Sequence, residues 1–212
     1  MTYSIVDLSV INNQEWKNKG GSTRELLAWP SPADWTVRLS VATVDRSGPF
    51  SIFAGVTRWF AVLSGAGVRL SANGRADTIT PASPPFQFDG AQLLHCDLIG
   101  GSTTDFNVMT TVAPAQCSVL RIRDHVQAQL RPALNQAIGL SRLLAVYSNC
   151  EQTDLRLSLD DPRVVRLSKG QLFWQHVAKS STPSTSVGDQ LVSIGSTDAI
   201  YIELFVGTVD QT

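Results

Sequence analysis

Short runs of alternating apolar and polar residues, broken every few positions by Gly, Pro, Asn or Asp, constrain this chain more than any other feature. The sharpest run is Asp105-Phe106-Asn107-Val108-Met109. On an extended strand Asp105, Asn107 and Met109 project to one side and Phe106 and Val108 to the other. A second run, 35 to 42, places Arg38 and Ser40 on one face and Trp35, Val37, Leu39 and Val41 on the other. Further strand-like runs cover 35–44, 58–64, 67–71, 86–88, 92–98, 105–112, 117–122, 142–148, 154–159, 163–167, 171–177, 189–194 and 199–206. Turn residues punctuate them, among others Asp45 to Pro49, Ala72-Asn73-Gly74, Gly100-Gly101-Ser102 and Asp160-Asp161-Pro162. So many short strands argue for an all-β barrel or sandwich over a βαβ sheet. Helical pattern is confined to a turn or two within 22–27 and 124–144, neither with a cap and a long apolar stripe.

If the polar faces of such strands meet inside a barrel they line a cavity; if they face water they carry no function. Val-Arg-Leu-Ser recurs at 37–40, 68–71 and 165–168 with unequal spacing, which is strand vocabulary and not a repeat array. The chain divides near Ala113-Pro114-Ala115, giving units over 1–112 and 113–212, each long enough to close a small barrel. The segment Lys179 to Ser186 reads as a polar low-complexity loop.

At 212 residues and 43% hydrophobic, the chain has apolar material for a globular core. Seventeen basic residues against 18 acidic ones leave a formal net charge of -1, which gives no electrostatic case for nucleic acid or an anionic membrane. The N-terminus lacks the basic and apolar regions of a secretory signal, and no stretch approaches the roughly 20 apolar residues of a membrane span. A cytoplasmic location is the expectation. Three cysteines without a Cys-x-x-Cys pair suggest buried free thiols. His95, His125 and His176 are isolated and form no ligand motif, and no Gly-x-Ser-x-Gly occurs, so neither a metal site nor a nucleophile has a local signature. No cofactor is expected.

Two segments carry candidate chemistry. Trp16 to Glu25 gathers charged, amide and hydroxyl groups around Gly20-Gly21. Such a loop either presents backbone N–H groups to an anion or is a solvated turn. It is not a Walker A loop, because Lys19 precedes the glycines. Gly48 to Arg58 combines two phenylalanines with a closing arginine, the makings of a small-acid pocket, since guanidinium grips carboxylate as a fork. Phe50 and Phe53 fit a plain core equally well.

Taken in order, Trp16-Lys17-Asn18-x-Gly20-Gly21-Ser22-Thr23-Arg24-Glu25, Arg38-Leu39-Ser40-Val41-Ala42, Gly48-Pro49-Phe50-Ser51-x-Phe53-x-Gly55-x-x-Arg58 and Asp105-Phe106-Asn107-Val108-Met109 resemble the HutD/Ves family. The matched blocks span 16 to about 111; the C-terminal half matches only in strand pattern. The resemblance implies a bicupin, two double-stranded β-helix barrels without the metal-ligand histidines of ordinary cupins. It also implies a link to histidine utilisation and binding of an intermediate such as formylglutamate. It promotes Lys17, Asn18, Thr23, Arg24, Glu25, Arg38, Ser40, Arg58, Asp105 and Asn107 to candidate pocket wall. The chain departs from the family pattern at Lys19, Val37 and Thr110-Thr111.

The leading expectation is a non-enzymatic protein whose partner is a small carboxylate, clamped by Arg24, Arg38 or Arg58, with Asp105 or Glu25 orienting the arginines. Neither nucleic acid nor membrane is expected as a partner, and a homodimer stays open. The alternative is a metal-independent cupin isomerase or hydrolase with Asp105, Glu25 or His95 as general base. A third reading, a stress-related or assembly protein with a vestigial pocket, calls for a dry apolar cavity.

Overall fold

The structure, a computed structural model, describes residues 2–123, 140–157, 163–177 and 193–206. In chain order the strands are β1 (Ser4–Asp7), β2 (Gln14–Glu15), β3 (Gly21–Pro30), β4 (Trp35–Val44), β5 (Gly48–Pro49) and β6 (Thr57–Ser64). They continue with β7 (Val68–Ala72), β8 (Arg75–Ile79), β9 (Phe86–Asp89), β10 (His95–Leu98), β11 (Thr103–Thr110) and β12 (Cys117–Ile122). The series ends with β13 (Ser141–Ser148), β14 (Thr153–Arg156), β15 (Val164–Leu167), β16 (Gln171–Val177), β17 (Ser193–Gly195) and β18 (Ala199–Val206). Among the described residues the only helical segments are single 3-10 turns at Leu8–Val10 and Pro114–Gln116. The chain is all-β, as the alternation predicts.

Two compact units form, one from Leu8–Pro114 and one from Met1–Asp7 with Ala115–Thr212. The boundary falls two residues beyond the expected 112. The N-terminal residues, assigned by sequence to the first unit, belong to the second, because β1 pairs with β16 through Ser4 opposite Trp174 to Asp7 opposite Gln171. That pairing joins segments more than 160 residues apart and leaves no local trace in the sequence.

In the Leu8–Pro114 unit a six-stranded antiparallel sheet, β2-β3-β4-β11-β6-β9, accompanies a four-stranded one, β5-β10-β7-β8. Their facing side chains, including Val44, Phe60, Val62, Val68, Leu70, Ile79 and Cys96, form one apolar core. The second unit repeats the plan with sheets β1-β16-β13-β18-β12 and β15-β14-β17 around Leu144, Val146, Leu155, Phe173, Ile194 and Tyr201. At one end of its five-stranded sheet Asp198 accepts both Arg121 Nε at 2.7 Å and Arg121 Nη2 at 2.6 Å, and Asn149 Nδ2 at 2.6 Å.

Residues 22–27, read as a helical turn, are instead the start of β3, hydrogen-bonded between β2 and β4. A helix propensity this weak yields to ladder pairing on both sides. The remainder of the other helical candidate, 124–139 with His125, lies outside the described residues, as do the Asp160-Asp161-Pro162 turn, the Lys179 to Ser186 loop and the start of the 189–194 run. None of the three cysteines is in a disulfide, but only Cys96 is buried; Cys117 and Cys150 are partly exposed.

Gly21 allows β3 to lie close to β4. A Cβ at this position would fall 2.2 Å from the Thr43 carbonyl oxygen, which is backbone and cannot swing aside. Gly21→Ala is therefore expected to destabilise the unit by about 1 to 3 kcal/mol, as overpacking does, read as a lower urea midpoint at unchanged m-value.

Candidate functional site

The register of β4, β11, β6 and β9 builds the site. Arg38 of β4 stands opposite Met109 of β11, Met109 opposite Arg58 of β6, and Arg58 opposite Phe88 of β9. Two residues along, Ser40, Asn107 and Phe60 form the next rung, and two further on Ala42, Asp105 and Val62 form a third. Opposed residues of an antiparallel pair share a face, so these side chains all enter the same space. Part of that space is a cavity of about 420 Å³ lined by Arg38, Ser40, Arg58, Asp105, Asn107 and Met109 from the sheet, while Phe60, Val62 and Phe88 join the apolar core. Gln14 to Asn18, Thr23 and the stretch around Phe50 close the rest of it. The polar faces of β4 and β11 therefore turn inward, and the opposite faces, with Leu39, Val41, Phe106 and Val108, are buried as well.

Arg58, only 8% exposed, is held by aromatic rings. Its guanidinium carbon lies 4.9 Å from the Phe88 ring centre, 5.4 Å from Phe50 and 5.5 Å from Phe53. Cations over ring faces are attracted by the ring quadrupole, most strongly where water is excluded. Arg58 Nη1 donates to the Ser51 carbonyl at 3.2 Å and Nη2 to Asn107 Oδ1 at 3.4 Å, while buried Nε has no hydrogen-bond partner. Burial lowers its pKa to about 10, with Asp105 opposing the shift and Arg38 adding to it, so the group stays cationic at neutral pH. The loop carrying the cage is clasped by Phe50 N–H to the Leu94 carbonyl at 2.8 Å and Phe53 N–H to the Gly90 carbonyl at 2.7 Å.

Asp105 is 1% exposed. Asn107 Nδ2 donates to its Oδ1, and its Oδ2 is buried without a partner. Desolvation pushes its pKa up to about 8, against the opposing effects of the Asn107 hydrogen bond and the Arg58 charge. Arg38 gives its Nε to Glu25 Oε2 at 2.5 Å and lies with Nη1 4.0 Å from Met109 Sδ. At the mouth, Trp16 Nε1 donates to Thr23 Oγ1 at 2.8 Å.

Of the sequence candidates, Lys17, Asn18, Thr23, Arg38, Ser40, Arg58, Asp105 and Asn107 line the cavity. Glu25 serves it indirectly, through Arg38. Arg24 does not: it pairs opposite Val41, on the other face of β3, and is exposed. The Gly-Gly loop is not an anion nest, because the Gly20 N–H is taken by Asn18 Oδ1 at 2.9 Å and the positive φ of 53° falls on Lys19. His95, a candidate base, is half exposed on β10 beside Asp97 at 3.3 Å and lies outside the cavity lining. No local signal in the sequence marks Phe88 or the Ser51 carbonyl as partners of Arg58; their contact with it depends on strand register and loop path. Gln14 and Glu15 carry no signal beyond their closeness to Trp16. Among the described residues no three His, Cys, Asp or Glu side chains converge as a metal-ligand set.

A carboxyl whose pKa is raised on folding binds more protons in the folded state, so Asp105 favours folding most below its ordinary value of 3.8, and that contribution is lost as pH rises towards about 8. Asp105→Asn keeps the acceptor for Asn107 and removes the titration. The urea midpoint of wild type relative to this variant is expected to fall between pH 5 and pH 8.5; a constant difference would contradict the assignment.

Comparison with known proteins places the chain. The family model described as HutD matches residues 9–186. A curated relative, an uncharacterized 21.2 kDa protein in the hutC 3' region of Pseudomonas putida, is 38% identical over 44% of this chain and 50% of its own length. Protein Ves of Cronobacter sakazakii is 31% identical over 56% of this chain and 60% of its own length. The chain thus matches about half to three fifths of the length of these relatives. Among solved structures, HutD from Pseudomonas fluorescens SBW25, obtained in a formate condition, superposes with a TM-score of 0.69 at 23% identity, over 97% of this chain and all of that one. The fold likeness extends to an oxalate decarboxylase from Lactobacillus farciminis, with a TM-score of 0.55 at 9% identity over 99% of this chain and 87% of that one. Its paired barrels are those of a bicupin, and with a family match over most of its length the chain belongs to the HutD family.

Proposed function

We propose that the Leu8–Pro114 barrel is a receptor, not an enzyme, for a small carboxylic acid, and that its ligand is formylglutamate or a related intermediate through which the protein modulates histidine utilisation. The observation that carries this reading is the rung holding Arg38 and Arg58 on either side of Met109, both guanidiniums bordering one cavity. Their charges are unequally compensated. Glu25 neutralises Arg38, whereas Arg58 has only Asp105, which at neutral pH is mostly protonated. The interior therefore carries an excess positive charge and favours an anion. Ser40, Asn107 and Thr23 supply hydrogen-bonding groups around it, and the phenylalanine cage fixes Arg58 in place before any ligand arrives, which lowers the ordering cost of binding. The hutC-adjacent relative agrees with this choice of pathway.

A second reading, acid–base turnover on Asp105, draws on its pKa near working pH. Turnover of a histidine-pathway intermediate that disappears in Asp105→Asn would favour it.

Calorimetry with formylglutamate, glutamate, urocanate and histidine tests the receptor reading. At least one should bind with micromolar affinity. Arg38→Ala should weaken that ligand at least about tenfold, the lower end of what a charge-assisted hydrogen bond contributes. No heat with any of the four would overturn it.

A further inference from the structure

Asp105 sits where a barrel core should hold no charge, and the receptor reading gives it no contact with ligand. Its cross-strand partners, Ala42 of β4 and Val62 of β6, are both apolar. Asn107 bridges it to Arg58, accepting from the guanidinium with Oδ1 and donating to Asp105 with Nδ2. Asp105 Oδ2, wholly buried, has nothing to solvate it. An ionised carboxylate in that position leaves half its charge unmet, while a protonated one costs far less. The charged or titratable groups that face it are few. Arg58 comes from β6 and Arg38 from β4, the latter paired with Glu25 of β3; Cys96 of β10 is a neutral thiol pushed up to about 12, chiefly by burial and secondarily by Asp105 and Asp97. Arg58 is thus the one cation whose charge Asp105 can answer, through Asn107, and it is the same cation an incoming carboxylate would claim.

We infer that the cavity takes up its anion together with a proton, held on Asp105, so that Asp105 sets how much negative charge the interior accepts and makes capture pH-dependent. The balance is simple: protein with ionised Asp105, one ligand carboxylate and one proton from solvent give the complex with Asp105 neutral. Two negative charges competing for one desolvated guanidinium cannot both persist, so binding one discharges the other. This inference rests on the carboxylate reading above and adds to it the protonation state in which the site works.

The probes are glutarate and formylglutamate, which have no group titrating between pH 7 and pH 9. With Asp105 titrating near 8, affinity should fall about tenfold across that interval, and binding at pH 8 should draw about half a proton from the buffer. That proton appears as a difference in calorimetric heat between Tris and HEPES, which ionise with different enthalpies. Asp105→Asn should lose both the slope and the buffer dependence. The buffer comparison on the unsubstituted protein decides the matter even if that variant fails to fold. Binding with the same heat in both buffers and a flat pH profile would overturn the proton linkage while leaving the receptor reading intact. No binding of either acid at any pH would overturn the receptor reading, and this inference with it.

Discussion

The antiparallel register of β4, β11 and β6 is the constraint on which the site depends. It sets Arg38, Met109 and Arg58 on one rung and Ser40, Asn107 and Phe60 on the next. A slip of one residue in any of these strands would carry its polar set to the opposite face and bring Leu39, Val108 or Trp59 inward. Side-chain identity and strand pairing thus define the cavity jointly. The Gly21 contact with Thr43 and the β3 pairing that sets Glu25 opposite Ser40 extend the same control to the outer strand.

Holding charge inside a barrel of this size is costly unless each group is answered. The two arginines are answered differently. Arg38, nearer the mouth, has a direct carboxylate partner; Arg58, deeper, has rings on several sides, a backbone carbonyl and an amide relay to a distant acid. The first arrangement fixes orientation at little cost, because the pair keeps contact with water. The second keeps a desolvated cation charged while leaving part of its attraction for an anion unspent. The apolar end of the same interior, around Val62, Val68, Leu70 and Ile79, supplies the burial that stabilises the unit and can tolerate a polar opposite end.

Much of this was legible. The alternation at 105–109 and 35–42 names the polar faces correctly, whereas the aromatic pair with a closing arginine at 50–58 fits pocket wall and core equally well in sequence, and in the structure Phe50 borders the cavity while also packing on the apolar core. The limits show best in Val-Arg-Leu-Ser, which forms part of a strand at each of its three occurrences. In β4 the Arg and Ser face lines the cavity; in β7 the Val and Leu face joins the barrel core and Arg69 is exposed; in β15 Arg166 lies on the surface against Asp154 at 3.1 Å. One tetrapeptide, two placements, with the arginine turned inward in β4 and outward in β7 and β15: a period of two separates two faces without saying which one is inside. Arg24 escaped the cavity for the same reason, being one residue out of phase with Thr23 and Glu25.

Sequence alone determined that this chain is all-β, that its strands carry segregated polar faces, and, through ordered motif blocks, which family it belongs to. These properties are local, fixed by alternation, turn residues and short motifs. Only the tertiary structure decided that β1 joins the C-terminal unit, that Phe88 completes the cage on Arg58, and that Asp105 is sealed from water with one oxygen unmatched. Each of these depends on pairing between segments tens of residues apart or more. Burial and electrostatics are properties of that assembled space and not of any stretch of chain.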